Sequence, residues 1–257
     1  MIRIFLALCL FSLAANVFWF YSDNHFRPKN FQPPVEIITT TLSLEPAAGP
    51  YTYLGHGRQT IAFESRDKTQ VLKLFYWKYP IRKQWYCRVE NWLRFSTPVW
   101  IYKAAKKKGD LKKLFTRYTW GFESLREETG LLDIHFAKTT SPVPITLIDR
   151  EGKTHHLNLA DFPYVLQKKA ILLTDYLSSR ELEEPINALR QFFIKRIQMG
   201  YIDNPEVFAK NYGFIDDKPV QIDVGKLEKD PNPDVEKECE KVFNNLDKYL
   251  RKFTGPK

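Results

Sequence analysis

The sequence predicts an α+β domain preceded by an apolar segment long enough to cross a membrane, and three observations carry that prediction. Short runs alternate apolar and polar between Tyr51 and Phe75 and again between Ser141 and Lys168, which is the period of half-buried strands. Three stretches, Trp120 to Ala137, about Pro185 to Gly200 and Asp234 to Phe253, repeat apolar residues at 3 and 4 spacing, which is helical. The run from Ile4 to Tyr21 is apolar and aromatic apart from Ser12 and Asn16.

With 257 residues, 44% hydrophobic and 27% charged, the chain can bury a sizeable core and is too apolar for a disordered protein. Cys9, Cys87 and Cys239 are too few and too scattered for a disulfide framework or a zinc site. Arg3 precedes the apolar run and Asp23 closes it. A span of roughly 17 to 25 residues crosses the hydrocarbon layer as a helix, so residues 1–22 read as a transmembrane anchor. A cleaved signal peptide leaving at Ser12-Leu13-Ala14 or Leu13-Ala14-Ala15 is the alternative. Aromatic residues continuing through Trp19, Phe20 and Tyr21 favour the anchor. Residues 23–50 hold Pro28, Pro33, Pro34, Pro46 and Pro50 without a sustained period and read as a linker.

From Tyr51 two alternating runs flank the glycine turn Gly55-His56-Gly57, and a third run, Val71 to Phe75, carries Lys73 at its centre. A lysine inside an apolar strand is costly to bury unless an anionic group answers it. Far along the chain, Gln198 to Leu227 reads as a helix end at Gly200, a polar loop with Asp203 and Asn211, and a hairpin. The hairpin delivers Val220 to Ile222 into Asp223-Val224-Gly225. Asn211 and Asp223 thus flank one turn and offer oxygen ligands of the kind a hard cation takes.

In this order the motifs resemble the protein kinase-like superfamily. Gly55-His56-Gly57 with Ala62 is similar to the start of the glycine-rich loop, although Thr60 stands where the third glycine belongs. Val71-Leu72-Lys73 is similar to the strand whose lysine contacts nucleotide phosphates, and Asp223-Val224-Gly225 to the Asp-Phe-Gly motif. The resemblance implies a two-lobed fold with an N-lobe over 51–168 and a reduced C-lobe over 169–257, and with ATP and Mg2+ as cofactors. It implies that Lys73, with Gly55 and Gly57, contacts the phosphates, and that Asn211 and Asp223 hold the metal. It also requires a helix presenting a glutamate to Lys73. Trp120 to Ala137 supplies one, with Phe122, Leu125, Thr129, Leu132 and Phe136 on one face and Glu128 at its edge. Ser141 to Arg150 and His155 to Lys168 would be the fourth and fifth N-lobe strands.

The chain departs from the family at the catalytic loop. Five residues before Asn211, where the family places its aspartate, stands Glu206; Asp203 lies eight before. Asp203 on a longer loop, or Glu206, would orient the acceptor hydroxyl. Only a proline-bearing turn and one helix follow Gly225, leaving no room for a peptide-docking lobe. The implied activity is transfer of phosphate from ATP to a hydroxyl on a membrane-associated glycolipid or protein. A catalytically inactive pseudokinase serving as a nucleotide- or partner-binding module is the alternative.

The family pattern does not account for residues 78–119. Lys78 to Arg117 holds twelve Lys or Arg against Glu90 and Asp110, a net of +10 where the whole chain carries +9. Trp85, Trp92, Trp100 and several Tyr and Phe are interleaved with them. Cations among aromatics suit a lipid surface, an acidic partner or an anionic glycolipid. They also suit nucleic acid, or a solvated hairpin with lysine-rich faces. The anchor upstream favours the bilayer over nucleic acid.

Overall fold

The computed structural model describes residues 26–32, 46, 49–57, 59–77, 111–136, 142–179, 181–203 and 208–254. The apolar run 4–21, residues 78–110 of the basic insertion, and Glu206 lie outside the described residues. Among the described residues no helix is long and apolar enough to cross a membrane.

The chain is α+β, built on a seven-stranded sheet in the order β4-β7-β3-β2-β1-β5-β6. Its first three strands are β1 (Tyr51–His56), β2 (Thr60–Glu64) and β3 (Gln70–Phe75), where the alternation places them. β3 is buried from Val71 to Phe75, so it is covered on both faces. Leu72 and Leu74 join one core with Tyr51, Phe63, Leu147, Tyr164 and Leu166. Phe75, on the other face, joins a second core with Leu131, Val165 and a helix, α1 (Leu111–Glu123). α1 buries Leu111, Leu114, Tyr118 and Gly121, a 3 and 4 repeat that makes one stripe against the sheet.

Three expectations change here. Trp120 to Ala137 is not one helix: α1 ends at Glu123, a single turn α2 (Arg126–Thr129) follows, and β4 (Leu131–His135) begins at once. Gly130 makes the break. It adopts φ 63°, and its amide bonds the Arg126 carbonyl as a left-handed helix cap. A side chain there would also meet Ile215 Cδ1 at 2.8 Å. Beyond it Leu131, Asp133 and His135 are buried in alternation, the strand period, which overlays the helical stripe over so short a stretch.

The expected fourth and fifth strands are also redistributed. β4 pairs with β7 (Tyr164–Lys168), which itself pairs with β3. The hairpin β5 (Pro144–Ile148) and β6 (Thr154–Asn158) joins the far edge, parallel to β1. His155 to Lys168 is cut in two by a 3-10 turn at Leu159–Asp161, which the Asn158 side chain caps through Ala160 N.

The proline-rich linker is partly folded. Phe31 is 1% exposed, its ring centroid 4.7 Å from that of Tyr76, and the Asn30 carbonyl accepts from Trp77 N at 2.8 Å. Phe26 packs edge-on to Phe63 at 5.4 Å. Residues 26–32 therefore close the sheet face opposite α1. Phenylalanines among prolines carry no period, so nothing along the chain signals this packing.

The second lobe forms around β8 (Ile171–Leu172), β10 (Tyr212–Ile215) and β11 (Lys218–Gln221), ordered β11-β10-β8. It includes α3 (Leu173–Ser178), α4 (Glu183–Gln198), the short α5 (Phe208–Asn211) and α6 (Val235–Thr254). α4 and α6 lie close to where their 3.6 period predicts. α4, α6 and β10 share a core of Leu189, Phe193, Ile197, Tyr212, Phe214, Val242 and Leu246. β9 (Tyr201–Ile202) and β12 (Glu228–Lys229) pair beneath the loop that leaves Asp223.

Candidate functional site

Lys73 is one of several described links between the large sheet and the β10–β11 hairpin. Pairing runs from Gly55 on β1 to Ala62 on β2, to Lys73 on β3, to Val165 on β7, so these four residues form one row across the sheet. Directly paired residues project to the same face. Ala62 is small and Gly55 has no side chain, so neither puts a bulky group in the row between Lys73 and the glycine turn. At about 4.8 Å per strand, Gly55 lies two strands, about 10 Å, from Lys73. An added Cβ at Gly55 would meet nothing within 4 Å, and at Gly57 nothing nearer than Thr60 Oγ1 at 3.8 Å. The glycines are thus not demanded by packing. They leave room for an approaching group.

The Lys73 ammonium is 7% exposed and donates to the Ile222 carbonyl at 2.6 Å. Burial pushes its pKa down to about 8, against the pull of the Asp223 carboxylate. An anion entering beside Lys73 would relieve that cost.

Ile222 and Asp223 are held by the hairpin. β10 and β11 turn at Asp216 and Asp217, whose φ values of 49° and 60° make a two-residue hairpin turn of the kind that matches strand twist. At the open end the Asn211 carbonyl accepts from Ile222 N at 2.7 Å and Asp223 N at 3.3 Å. Asn211 and Asp223, expected as metal ligands, therefore sit side by side. Asp223 is exposed, and its Oδ1 accepts from Gly225 N at 2.8 Å. A Cβ at Gly225 would stand 2.9 Å from that oxygen, so the glycine of Asp-Val-Gly is required by the carboxylate's position.

The helix expected to present a glutamate is α1, and the expected partner is not on it. Glu128 lies on α2, 8% exposed, and its Oε1 pairs with Lys195 Nζ of α4 at 2.6 Å. That hydrogen bond raises the Lys195 pKa. The Lys73–Glu128 pair is thus replaced by Lys73–Ile222 and Glu128–Lys195. The cause is the break at Gly130, which moves the helix about ten residues earlier, to 111–123, and into the stretch read as the end of the insertion. On α1 the residue near Asp223 is Tyr118, 2% exposed, whose phenol is pushed up by burial and then by the Asp223 charge. Arg117 beside it donates to the carbonyls of Gly225 at 2.5 Å and Leu227 at 2.7 Å, with Glu228 at 3.5 Å.

Asp203 joins the hairpin of Asn211 and Asp223 through Tyr212 and Gln221. It is 5% exposed, and its Oδ2 accepts from Gln221 Nε2 at 2.8 Å and from the Tyr212 hydroxyl at 3.1 Å. Gln221 Nε2 also reaches the Asp223 carbonyl at 3.0 Å, and its Oε1 accepts from Arg196 Nη1 at 2.6 Å. Arg196 is fully buried on α4, with Nη1 also on the Tyr212 hydroxyl at 3.2 Å. Burial outweighs the nearby guanidinium and pushes the Tyr212 phenol well above its ordinary value.

The structure brings Lys73 to the end of the hairpin that carries Asn211 and Asp223, with Gly55 in the same row two strands away, and it places Glu128 elsewhere; Arg117, Tyr118, Arg196 and Gln221, which also lie here, were not expected. Arg117 is indistinguishable in sequence from the solvated cations around it. Arg196 carried a usable signal, because it falls on the apolar face of α4 with Leu189, Phe192 and Phe193. Among the described residues no three His, Cys, Asp or Glu side chains gather as a metal cage. A cation here would use Asn211, Asp223 and oxygens of its ligand, as Mg2+ commonly does.

No family model matches this chain, and no curated protein matches it. Among solved structures, it is similar to WbdD at TM-score 0.39 and 14% identity, over 75% of this chain and 35% of that one. It is also similar to the Legionella pneumophila LegK7 effector kinase at TM-score 0.24 and 13% identity, over 43% of this chain and 24% of that one. The chain therefore spans about a third and about a quarter of these proteins' lengths. The convergence of Lys73, Asn211 and Asp223 belongs to this chain's own geometry and stands apart from either similarity.

Proposed function

We propose that this chain is a membrane-tethered, kinase-like protein that binds ATP with Mg2+ and transfers phosphate to a hydroxyl acceptor. The observation that carries the proposal is the Lys73–Ile222 bond, which brings a buried ammonium to the end of the hairpin where the exposed Asp223 and the half-buried Asn211 lie. Phosphoryl transfer needs positioning and charge neutralisation above all. Lys73 would bind phosphate oxygens, Gly55 and Gly57 would let the backbone approach them, and Asn211 and Asp223 would hold Mg2+. The metal, when bound, neutralises charge between phosphate groups.

The acceptor is proposed to be at a membrane, as a glycolipid or a protein, because the apolar run 4–21 precedes a domain that carries the basic, aromatic insertion. The insertion would face anionic lipid.

A second reading, a pseudokinase that binds nucleotide without turnover, is favoured by one observation. Asp203 is almost wholly buried and holds Gln221 and Tyr212, a poor posture for orienting an acceptor hydroxyl. The test of both is a thermal-shift series on the full chain in detergent, with ATP and with or without Mg2+, beside Asp223→Ala. A magnesium-dependent upward shift absent from the variant supports the nucleotide–metal site; equal shifts with and without the metal overturn the metal site, and no shift overturns nucleotide binding. ADP formation from ATP by the binding-competent wild type then separates enzyme from module.

A further inference from the structure

We propose that Arg117 is a positioning residue that locks helix α1 to the metal-ligand loop, in the role a glutamate on that helix would otherwise fill. The proposal rests on the nucleotide-binding reading above and deepens it. Lys73 bonds the Ile222 carbonyl and Glu128 pairs with Lys195, so the described polar tie between α1 and this loop is the one that Arg117 makes. Its Nη1 donates to the Gly225 carbonyl at 2.5 Å and its Nε to the Leu227 carbonyl at 2.7 Å. The same Gly225 donates its amide to Asp223 Oδ1 at 2.8 Å. One residue therefore relays α1 to the carboxylate: guanidinium to the Gly225 carbonyl, Gly225 amide to the ligand oxygen. With Gly225 fixed, the Asp223 carboxylate has one orientation, and a cation that meets it pays little to order it.

The grip is specific. The guanidinium has a planar fork of donors, so two carbonyls two residues apart along the chain can be held at once, which a lysine ammonium on a flexible stem does less well. The charge makes both bonds stronger than neutral ones. Leu114 and Gly121 flank Arg117 by a turn on either side, near Gly225 and Val224 respectively, so the helix is already packed along this loop. Glu228, 68% exposed at 3.5 Å, adds little. Asp223 is exposed and its carboxylate is held through the Gly225 amide, so without Arg117 the loop keeps its packing while the set of that carboxylate loosens.

The test titrates Mg2+ into the full chain at fixed ATP, and titrates ATP in EDTA, for wild type, Arg117→Ala, Arg117→Gln and Glu228→Gln. Arg117→Ala is expected to raise the half-saturating Mg2+ concentration about tenfold, the scale of one lost charge-assisted bond. ATP affinity in EDTA stays at the wild-type value, a separation that general loosening of the fold would not produce. Arg117→Gln, which keeps one donor, falls between and substitutes if the alanine variant does not fold; Glu228→Gln matches wild type. A wild-type Mg2+ dependence retained unchanged in both Arg117 variants overturns this role alone. No Mg2+ dependence in the wild type overturns the nucleotide site and this role together.

Discussion

Lys73 on β3 and Ile222 at the end of β11 are joined by a 2.6 Å hydrogen bond across 149 residues of sequence, and the exposed Asp223 carboxylate follows at once. The bond leaves a buried amine satisfied by a neutral carbonyl and only partly neutralised by a carboxylate. That is why its pKa falls to about 8.

Nucleotide binding should therefore take up a proton above pH 8. In the free chain Lys73 is mostly neutral between about 8 and its ordinary 10.5, whereas in the unfolded chain it is charged there. The cost of burying the cation is full below pH 8 and fades as pH rises toward 10.5. A phosphate needs the charged form, so affinity for ATP should fall as pH climbs from 8 to 10. Calorimetric titration at pH 9 in two buffers of different ionisation enthalpy should register proton uptake in wild type and none in Lys73→Met. Equal uptake in both would refute the assignment.

Gly225→Ala is expected to remove the metal-dependent part of nucleotide binding. The new methyl would lie 2.9 Å from Asp223 Oδ1 and turn the carboxylate away, while the Lys73 bond to Ile222 is untouched. Melting temperatures with ATP alone and with ATP and Mg2+ check this: the first should match wild type and the second should lose its increment.

Glu128→Gln should leave nucleotide affinity unchanged and cost about 0.5 to 2 kcal/mol of stability, because the pair it breaks is with the largely exposed Lys195. Chemical denaturation gives the stability and ATP titration the affinity. A tenfold weaker affinity would instead put Glu128 at Lys73 in the working state.

Phe31→Ala should destabilise the chain by about 3 to 5 kcal/mol, the range for emptying a fully buried aromatic site. Truncating at residue 25 should be tolerated, and truncating at residue 45 should not, when unfolding midpoints in urea are compared. Equal midpoints for the two truncations would mean that residues 26–32 contribute nothing to the core.

What could be read along the chain and what could not divide by distance in sequence. β1 to β3, α4 and α6 announce themselves, since each has one period over its whole length. The hairpin that carries Asn211 and Asp223 is local, and the glycine turn and Lys73 are at most 18 residues apart. The stretch from Leu131 to Phe136 reads as the end of a helix because a helical stripe and a strand alternation share too many positions over a few residues to be told apart. The left-handed Gly130 decides between them only once Ile215 is packed against it.

By itself the sequence determined which side chains have metal- and phosphate-binding chemistry and that a buried lysine awaits an answering group. Only the tertiary structure decided which group answers, because a partner is chosen by proximity in space. Lys73 meets the end of the β10–β11 hairpin, Glu128 meets Lys195, and Arg117, one cation among many along the chain, is the one that lies over the carbonyls of Gly225 and Leu227. A carbonyl accepts without any side chain to reveal it in sequence, and three of these contacts end on carbonyls.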